Sequence, residues 1–411
     1  MKFYLLFAWR NLWRNKRRTF LATSSIFFAV LLTVLFAALN YGQDDDTMRM
    51  SVSLSTGYLQ VQEEGYWDEQ SLEKSFELHD TLLAMLRSHA HITIANPRIE
   101  SVALVSYGTE TRISPVIGID PEMENRMTGL QKRIVRGAYL TKTSSGILIG
   151  EGLAEKLHRT IGDSIVLFSQ GYQGATAAEQ LAIEGILHFP IPKVNDAVVY
   201  LALPKAQMFF NASQRVTSIA LMVDNPRIVH DVQTLLSQKL DAGLILINWE
   251  EMLPEVVQAI QANDAGSILT FGVFYIIIAF GIFETIMMMT IERTREFGLL
   301  ISLGMKRGRL FLVIILEAVL ISMVGAAAGL AVSIPVVFYF HHHPISLWGD
   351  LAKVYESYGM EPIMSINADA SLFYSQTVIV LIIAIISSLY PMLVLRKLKP
   401  VSALQGRSGK K

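Results

Sequence analysis

Apolar positions along this chain gather into four runs too long for a soluble core. They cover residues 19–41, 268–290, 310–340 and 373–395, each near or above the roughly 20 residues a helix needs to cross a bilayer. The third is long enough to tilt or to extend past the hydrocarbon, and Pro335 is placed to bend it or to mark its exit. The first far exceeds the roughly 7–15 apolar residues of a secretory signal, and no small-x-small cleavage site follows it, so it reads as an uncleaved anchor. Ahead of it, Leu5, Leu6, Trp9, Leu12 and Trp13 share one helical face, while Arg10, Asn11, Arg14, Asn15 and Arg17 share the other. That pattern predicts an amphipathic helix over residues 1–18 lying in the membrane interface.

Between the first two runs the periodicity changes. The stretches "RISPVIGI", "GILIG", "SIVLF", "AVVYLAL" and "TSIALMV" read as short strands. "HDTLLAMLRS", "EGLAEKLHR" and "PRIVHDVQTLLSQKL" read as amphipathic helices. Residues 42–267 are therefore expected to form an α+β domain of two lobes, with a boundary near 95–110. Residues 251–267 predict a helical stalk leading into the second run, with Pro254 in its first turn. The expected fold class is an α-helical membrane protein with four transmembrane helices and a large α+β extracytoplasmic domain between the first and second.

Charge orients the spans. Lys2, Arg10, Arg14, Lys16, Arg17 and Arg18 precede the first run, and Asp44–Asp46 follow it. Arg293, Arg295, Lys306, Arg307 and Arg309 lie between the second and third, and Arg396, Lys397 and Lys399 follow the fourth. If every run crosses once, all three basic clusters fall on one side, which the positive-inside rule makes cytoplasmic. Both termini, the 291–309 segment and the 396–411 tail are then expected in the cytoplasm, with 42–267 and the 341–372 loop outside. Only 17% of residues are charged, against about 25% in soluble domains, which suits that reading. A net charge of −1 gives no reason to expect nucleic acid, and the absence of cysteine excludes disulfides and thiolate metal sites.

No enzyme site emerges. "GYQGATAAE" (171–179) reads as a flexible surface loop, and His341–His343 as the start of an interfacial loop rather than a metal site. No G-x-x-x-x-G-K-[ST] motif is present, and the tail "GRSGKK" has the wrong spacing, so any ATP would be bound by another chain. Glu284 and Glu317 lie inside the second and third runs. Each is either a polar contact that changes as spans move or a carboxylate that helps spans pack. Gly325 and Gly329 form a G-x-x-x-G pair that permits close helix approach, while Met287–Met289 read as apolar filler. Within 291–309, Glu296–Ser302 predicts a short helix carrying Phe297, Leu299, Leu300 and Ile301, ended by Gly304 and followed by Lys306, Arg307 and Arg309.

The stretch "ERTREFGLLISLGMKRGRLFLVIILEAVLISMVGAAAG" resembles the signature of FtsX-like ABC transporter permeases, E-R-x-R-E-(I/F)-G-x-(L/M)-x-x-(L/I)-G. Glu292, Arg293, Arg295, Glu296, Gly298 and Gly304 occupy its positions, and Glu317 matches a glutamate of the following span. Pro400, Ala403 and Leu404 are similar to the family's P-x-x-A-L ending. "VIGIDP", "IVRGAYL", "GILIGEGLAEKL" and "TIGDSIVLF" look most like the lipoprotein-releasing permeases of the bacterial inner membrane, and are shared with macrolide-exporter-like permeases. Glu284 departs from the neutral polar residue that relatives commonly carry.

The resemblance implies a multi-pass inner-membrane permease with a periplasmic domain and no cofactor of its own. ATP and Mg²⁺ would be used by a partner ATP-binding subunit dimer. A second permease subunit, identical or sister, would complete the pair. Lipoproteins would be taken from the membrane and passed to a periplasmic carrier. The coupling residues would be Glu292, Arg293, Arg295, Glu296, Phe297, Gly298, Leu299, Leu300, Gly304, Lys306 and Arg307, with the apolar ones seated in a groove on the ATPase. Two other functions fit the same class: an efflux permease that transmits motion to an outer-membrane partner, and a non-transporting scaffold that regulates cell-wall hydrolases.

Overall fold

The computed structural model of the chain describes Trp9, Arg10, Leu12, Arg14 and residues 16–108, 110–189, 191–357 and 362–396. The rest of the expected 1–18 helix and the 397–411 tail, with Lys397, Lys399, Pro400, Ala403 and Leu404, lie outside the described residues. The chain divides into two compact units, one of Met1–Asp45, Gln261–Ser346 and Ile363–Lys411, the other of Asp46–Ile260 and Leu347–Pro362.

Five helices organise the first unit: α1 (Lys16–Ser51), α2 (Pro254–Glu292), α3 (Thr294–Ser302), α4 (Arg307–His342) and α5 (Ala370–Arg396). All but α3 contain a stretch long and apolar enough to cross a membrane. The helices outrun the apolar runs, because a helix satisfies its own backbone whatever side chains it carries. Thus α1 continues past residue 41 through Asp44–Asp46, α2 starts at Pro254, and α4 runs through Pro335 to His342. The aspartates are used locally: Asn263 donates to Asp44 at 2.7 Å and Asn367 to Asp45 at 2.6 Å. His341 donates Nδ1 to the Ile366 carbonyl at 2.6 Å, so its ring closes a backbone contact.

Small residues set how closely α1 and α4 approach. A Cβ at Gly325 would lie 2.8 Å from the Thr23 carbonyl oxygen, and one at Gly329 would lie 2.9 Å from Val30 Cβ. Both are closer than a side chain tolerates, so the G-x-x-x-G pair is where the two backbones meet. In contrast, 6% of the α2 apolar window is buried, against 39–50% for the other three, so α2 presents most of its surface, including Glu284, away from this chain.

The second unit is built on a ten-stranded sheet. Its strands are β1 (Leu59–Glu63), β2 (Ile92–Tyr107), β3 (Glu110–Ile119), β4 (Ile134–Gly137), β5 (Ile147–Gly150), β6 (Ser164–Gln170), β7 (Thr176–Leu187), β8 (Val199–Ala202), β9 (Ser218–Val223) and β10 (Leu244–Asn248). Six close on themselves in the order β2–β3–β8–β5–β7–β6 and back to β2. Closure removes the exposed strand edges that an open sheet would leave. The long β2 serves two partners along one edge. Residues 92–98 pair with β9, which carries β1 and β10 beyond it, and residues 104–106 pair with β6.

Side-chain alternation shows why the barrel closes. In β6, Ile165 and Leu167 are fully buried while Val166 and Phe168 point outward. The Gly- and Ala-rich 171–179 stretch, expected to be a loop, is a tight turn only to Ala175; from Thr176 it is the start of β7. Its small Ala177 fits the barrel interior, and the β6 ladder supplies its hydrogen bonds.

Inside this unit Arg98 and Glu124 are buried together, at 3% and 1% exposure. Arg98 donates through Nη2 and Nε at 2.8 and 2.9 Å, and Asn96 donates to the same carboxylate at 2.7 Å. Removing the carboxylate would leave the buried guanidinium to the longer Glu100 contact at 3.6 Å and the Ser55 carbonyl. Glu124→Ala should therefore destabilise this unit by about 3–5 kcal/mol, roughly a 10 °C fall in its melting midpoint. Thermal unfolding of the full chain in detergent tests this, and the double change Arg98→Met with Glu124→Met should lose much less.

Candidate functional site

The segment between α2 and α4 is where charged side chains meet apolar helix ends. Arg293 adopts φ −96° and ψ 6°, which separates α2 from α3. Its guanidinium reaches three neighbours: Glu317 Oε2 on α4 at 2.5 Å, Glu296 Oε2 on α3 at 3.3 Å, and the Phe297 ring at 5.0 Å. Arg14, from the N-terminal segment, donates to the same Glu296 oxygen at 2.5 Å. Arg14, Glu296, Arg293 and Glu317 thus form an alternating chain of charges from the N-terminal segment to the inside of a long helix.

Burial differs along this chain. The Arg293 and Glu317 side chains are 16% and 10% exposed, whereas Arg14 and Glu296 are 61% and 50% exposed. A carboxylate at the depth of Glu317 is costly unless paired, and Arg293 supplies the pairing. At Glu296, partial burial would raise the carboxyl, but the bonds and charges of Arg293 and Arg14 outweigh it and hold it below the usual carboxylate range.

The short helix has two apolar faces. Phe297 is 2% exposed and packs with Leu310 and Ile314 of α4, and Leu300, Ile301 and Met305 complete that cluster. Gly298 is buried as well. Leu299 and Leu303, one turn apart, are 50% and 76% exposed. Of the apolar residues expected to meet a partner, Phe297 and Leu300 therefore serve this chain's own core, and Leu299 faces outward. Leu303, four positions after Leu299, falls at the (L/I) position of the signature but is not among the coupling residues that the resemblance implies. Arg14 is legible in sequence only as a member of the N-terminal basic cluster, since nothing there links it to Glu296.

Gly304 ends α3 at φ +98°, a backbone region that a side chain strains. Its N–H bonds the Ile301 carbonyl, and the Met305 N–H bonds that of Leu300. Glu292, Arg295 and Lys306 are exposed around the helix, and the Arg307 side chain lies outside the described residues. Glu284 does not join the charge chain: it is exposed on α2. Among the described residues no cluster of His, Asp and Glu could hold a metal ion.

Comparison with known proteins places both units. A MacB-like periplasmic core domain matches residues 19–239, and an FtsX-like permease C-terminal domain matches residues 268–400. A lipoprotein-releasing system transmembrane protein, LolC of Buchnera aphidicola, is 21% identical over 58% of this chain and 61% of its own. A second, LolE of Haemophilus influenzae, is 20% identical over 61% of each. The macrolide export ATP-binding/permease protein MacB of Campylobacter jejuni is 23% identical over 81% of this chain and 53% of its own. The chain thus spans less than two thirds of the length of these relatives. Among solved structures, the periplasmic region of MacB from Actinobacillus actinomycetemcomitans covers 50% of this chain and 94% of its own, at 13% identity and a TM-score of 0.36.

The lowered Glu296 carboxyl has a pH consequence. A carboxylate depressed in the folded state stabilises it fully above the unfolded value, about 4.3, and the contribution is lost as pH falls through the folded value. Melting midpoints of the wild type and Glu296→Gln should differ at neutral pH and converge as pH drops below about 4. A constant difference across that window would contradict the pairing.

Proposed function

This chain belongs to the family defined by the MacB-like periplasmic core domain, and on that premise we propose that it is the permease subunit of an ABC transporter that releases lipoproteins from the inner membrane. ATP and Mg²⁺ would act in a separate ATPase dimer, and a second permease, identical or sister, would complete the complex. Both termini and α3 would face the cytoplasm and the barrel unit the periplasm, where a carrier would receive the cargo. The kinship with proteins named as lipoprotein-releasing subunits supports this reading of the substrate.

The observation that carries the coupling role is the outward pair Leu299 and Leu303 on a helix braced from behind. An exposed apolar pair on a segment flanked by Arg295 and Lys306 suits a groove on another protein, with charges setting orientation. Phe297 anchors the helix to α4, and Arg293 ties its base to Glu317. A push on α3 by closing ATPases would then reach α4 directly, and through Glu296 it would reach the N-terminal segment. The work performed is extraction rather than covalent chemistry. Each acyl CH₂ leaving the bilayer costs about 0.8 kcal/mol, so a multiply acylated protein does not leave unaided.

A second reading is efflux of a periplasmic substrate. The alignment to the macrolide export protein favours it, because that alignment covers more of this chain than the alignments to the lipoprotein-releasing proteins. Proteoliposomes containing the permease, its ATPase and a labelled lipoprotein separate the two. ATP-dependent release to a soluble carrier is the expected result, and retention of lipoprotein with intact ATP hydrolysis would overturn the leading reading.

Coupling has its own test. Leu299→Asp or Leu303→Asp should weaken ATPase binding about tenfold or more, from the loss of one buried leucine. Charge reversal at Lys306 and Arg307 should separate hydrolysis from transport, with membrane insertion unchanged. Unaltered ATPase binding and transport in these variants would remove α3 from the coupling role.

A further inference from the structure

Below the glycine contact between α1 and α4, on the side toward Lys16, the two helices enclose a groove of about 490 Å³. Its walls are Trp9, Leu12, Phe20, Ile321 and Val324, and Thr23 lies where the helices meet. The volume lies within the range of small-molecule sites. Two cations, Lys16 and Arg17, also line it, and both are exposed. The Thr19 hydroxyl donates to the Leu12 carbonyl at 2.8 Å and holds the N-terminal segment over α1.

We propose that this groove binds one anionic phospholipid from the leaflet on the N-terminal side, with an acyl chain against Phe20, Ile321 and Val324 and the phosphate on Lys16 and Arg17. An apolar slot at the end of a membrane helix is filled by hydrocarbon wherever it opens to the bilayer. The adjacent cations select the headgroup, because juxtamembrane Lys and Arg side chains attract anionic lipid. Trp9 adds an amphipathic ring suited to headgroup depth. A zwitterionic lipid offers the same chain but no net charge to balance the two cations.

The location gives such a lipid leverage. Trp9 and Leu12 line the groove, and Arg14, two residues beyond Leu12, is the partner of Glu296 at the base of α3. A lipid seated between Trp9 and Val324 would hold that stretch of chain in place. It would thereby stabilise the Arg14–Glu296 pair whatever cargo the protein moves.

Photo-crosslinking tests the assignment. The full chain is reconstituted in nanodiscs with a trace of photoreactive phosphatidylglycerol or, separately, of photoreactive phosphatidylcholine, and labelled peptides are read by mass spectrometry. Label from phosphatidylglycerol is expected on peptides spanning Trp9–Thr23 and Ile321–Val324, at about tenfold or more over phosphatidylcholine. The paired change Lys16→Gln and Arg17→Gln should bring that ratio close to one, while Lys16→Arg with Arg17→Lys should preserve it. Val324→Trp should remove groove label from both lipids and leave label on the outward face of α2 unchanged. Melting midpoints identify any variant that fails to fold, and the conservative exchange then carries the comparison. Equal labelling by the two lipids in the wild type, or a preference that survives the glutamine pair, would reduce the groove to ordinary annular contact and overturn the proposal. Loss of the label on adding free glycerol phosphate would also overturn it, by showing an anion site that needs no chain.

Discussion

Arg293 stands where a long apolar helix has to stop and a short one begins, and a cation there is tolerated only because of what surrounds it. Two charges taken from water repay their desolvation when geometry is close and further hydrogen bonds satisfy them. Arg293 meets Glu317 at 2.5 Å, shares Glu296 and lies over the Phe297 ring. The break after Glu292, the seat of Phe297 against Leu310 and Ile314, and the outward turn of Leu299 and Leu303 all lie around that arrangement. The pair sets a cation beside the largely buried Glu317 carboxylate and links the start of α3 to α4.

Glu284 and Glu317, both inside apolar runs, have different surroundings that spacing alone does not show. Glu317 is held by a cation from a neighbouring segment, while Glu284 lies on the helix that this chain covers least. With 6% of its apolar window buried, α2 presents an apolar face that this chain does not itself cover. The second permease proposed above would give the face around Glu284 a protein neighbour.

The barrel unit solves a different problem, that of holding an extended domain together without disulfides. Ring closure of six strands removes open edges, and the 16-residue β2 ties the ring to the β9–β1–β10 extension. Arg98 lies on β2 at the point where its partner changes, and its buried bond to Glu124 fastens the helix Pro121–Thr128 there. Glycine and alanine at 174–178 look like loop when read locally. They become a turn and a strand because Gly174 takes a positive φ and residues 176–178 pair with β6, with Ala177 facing the interior opposite Ser169.

By itself, the sequence determined the four membrane helices, the presence of both strands and helices between the first two, and the short helix before Gly304. Each of these is a local property: length of an apolar run, two-residue or 3.6-residue periodicity, a glycine able to adopt positive φ. The signature around Glu292–Gly304 also marked the segment at which Arg293, Glu296 and Glu317 come together. Only the tertiary structure decided which apolar residues of that helix are core and which are surface, that Arg14 reaches Glu296 across 282 positions, and that Glu317 is paired with Arg293. Those outcomes follow from how helices cross. A crossing is set by the summed packing of distant small residues such as Gly325 and Gly329, and no local pattern records which partner they will meet.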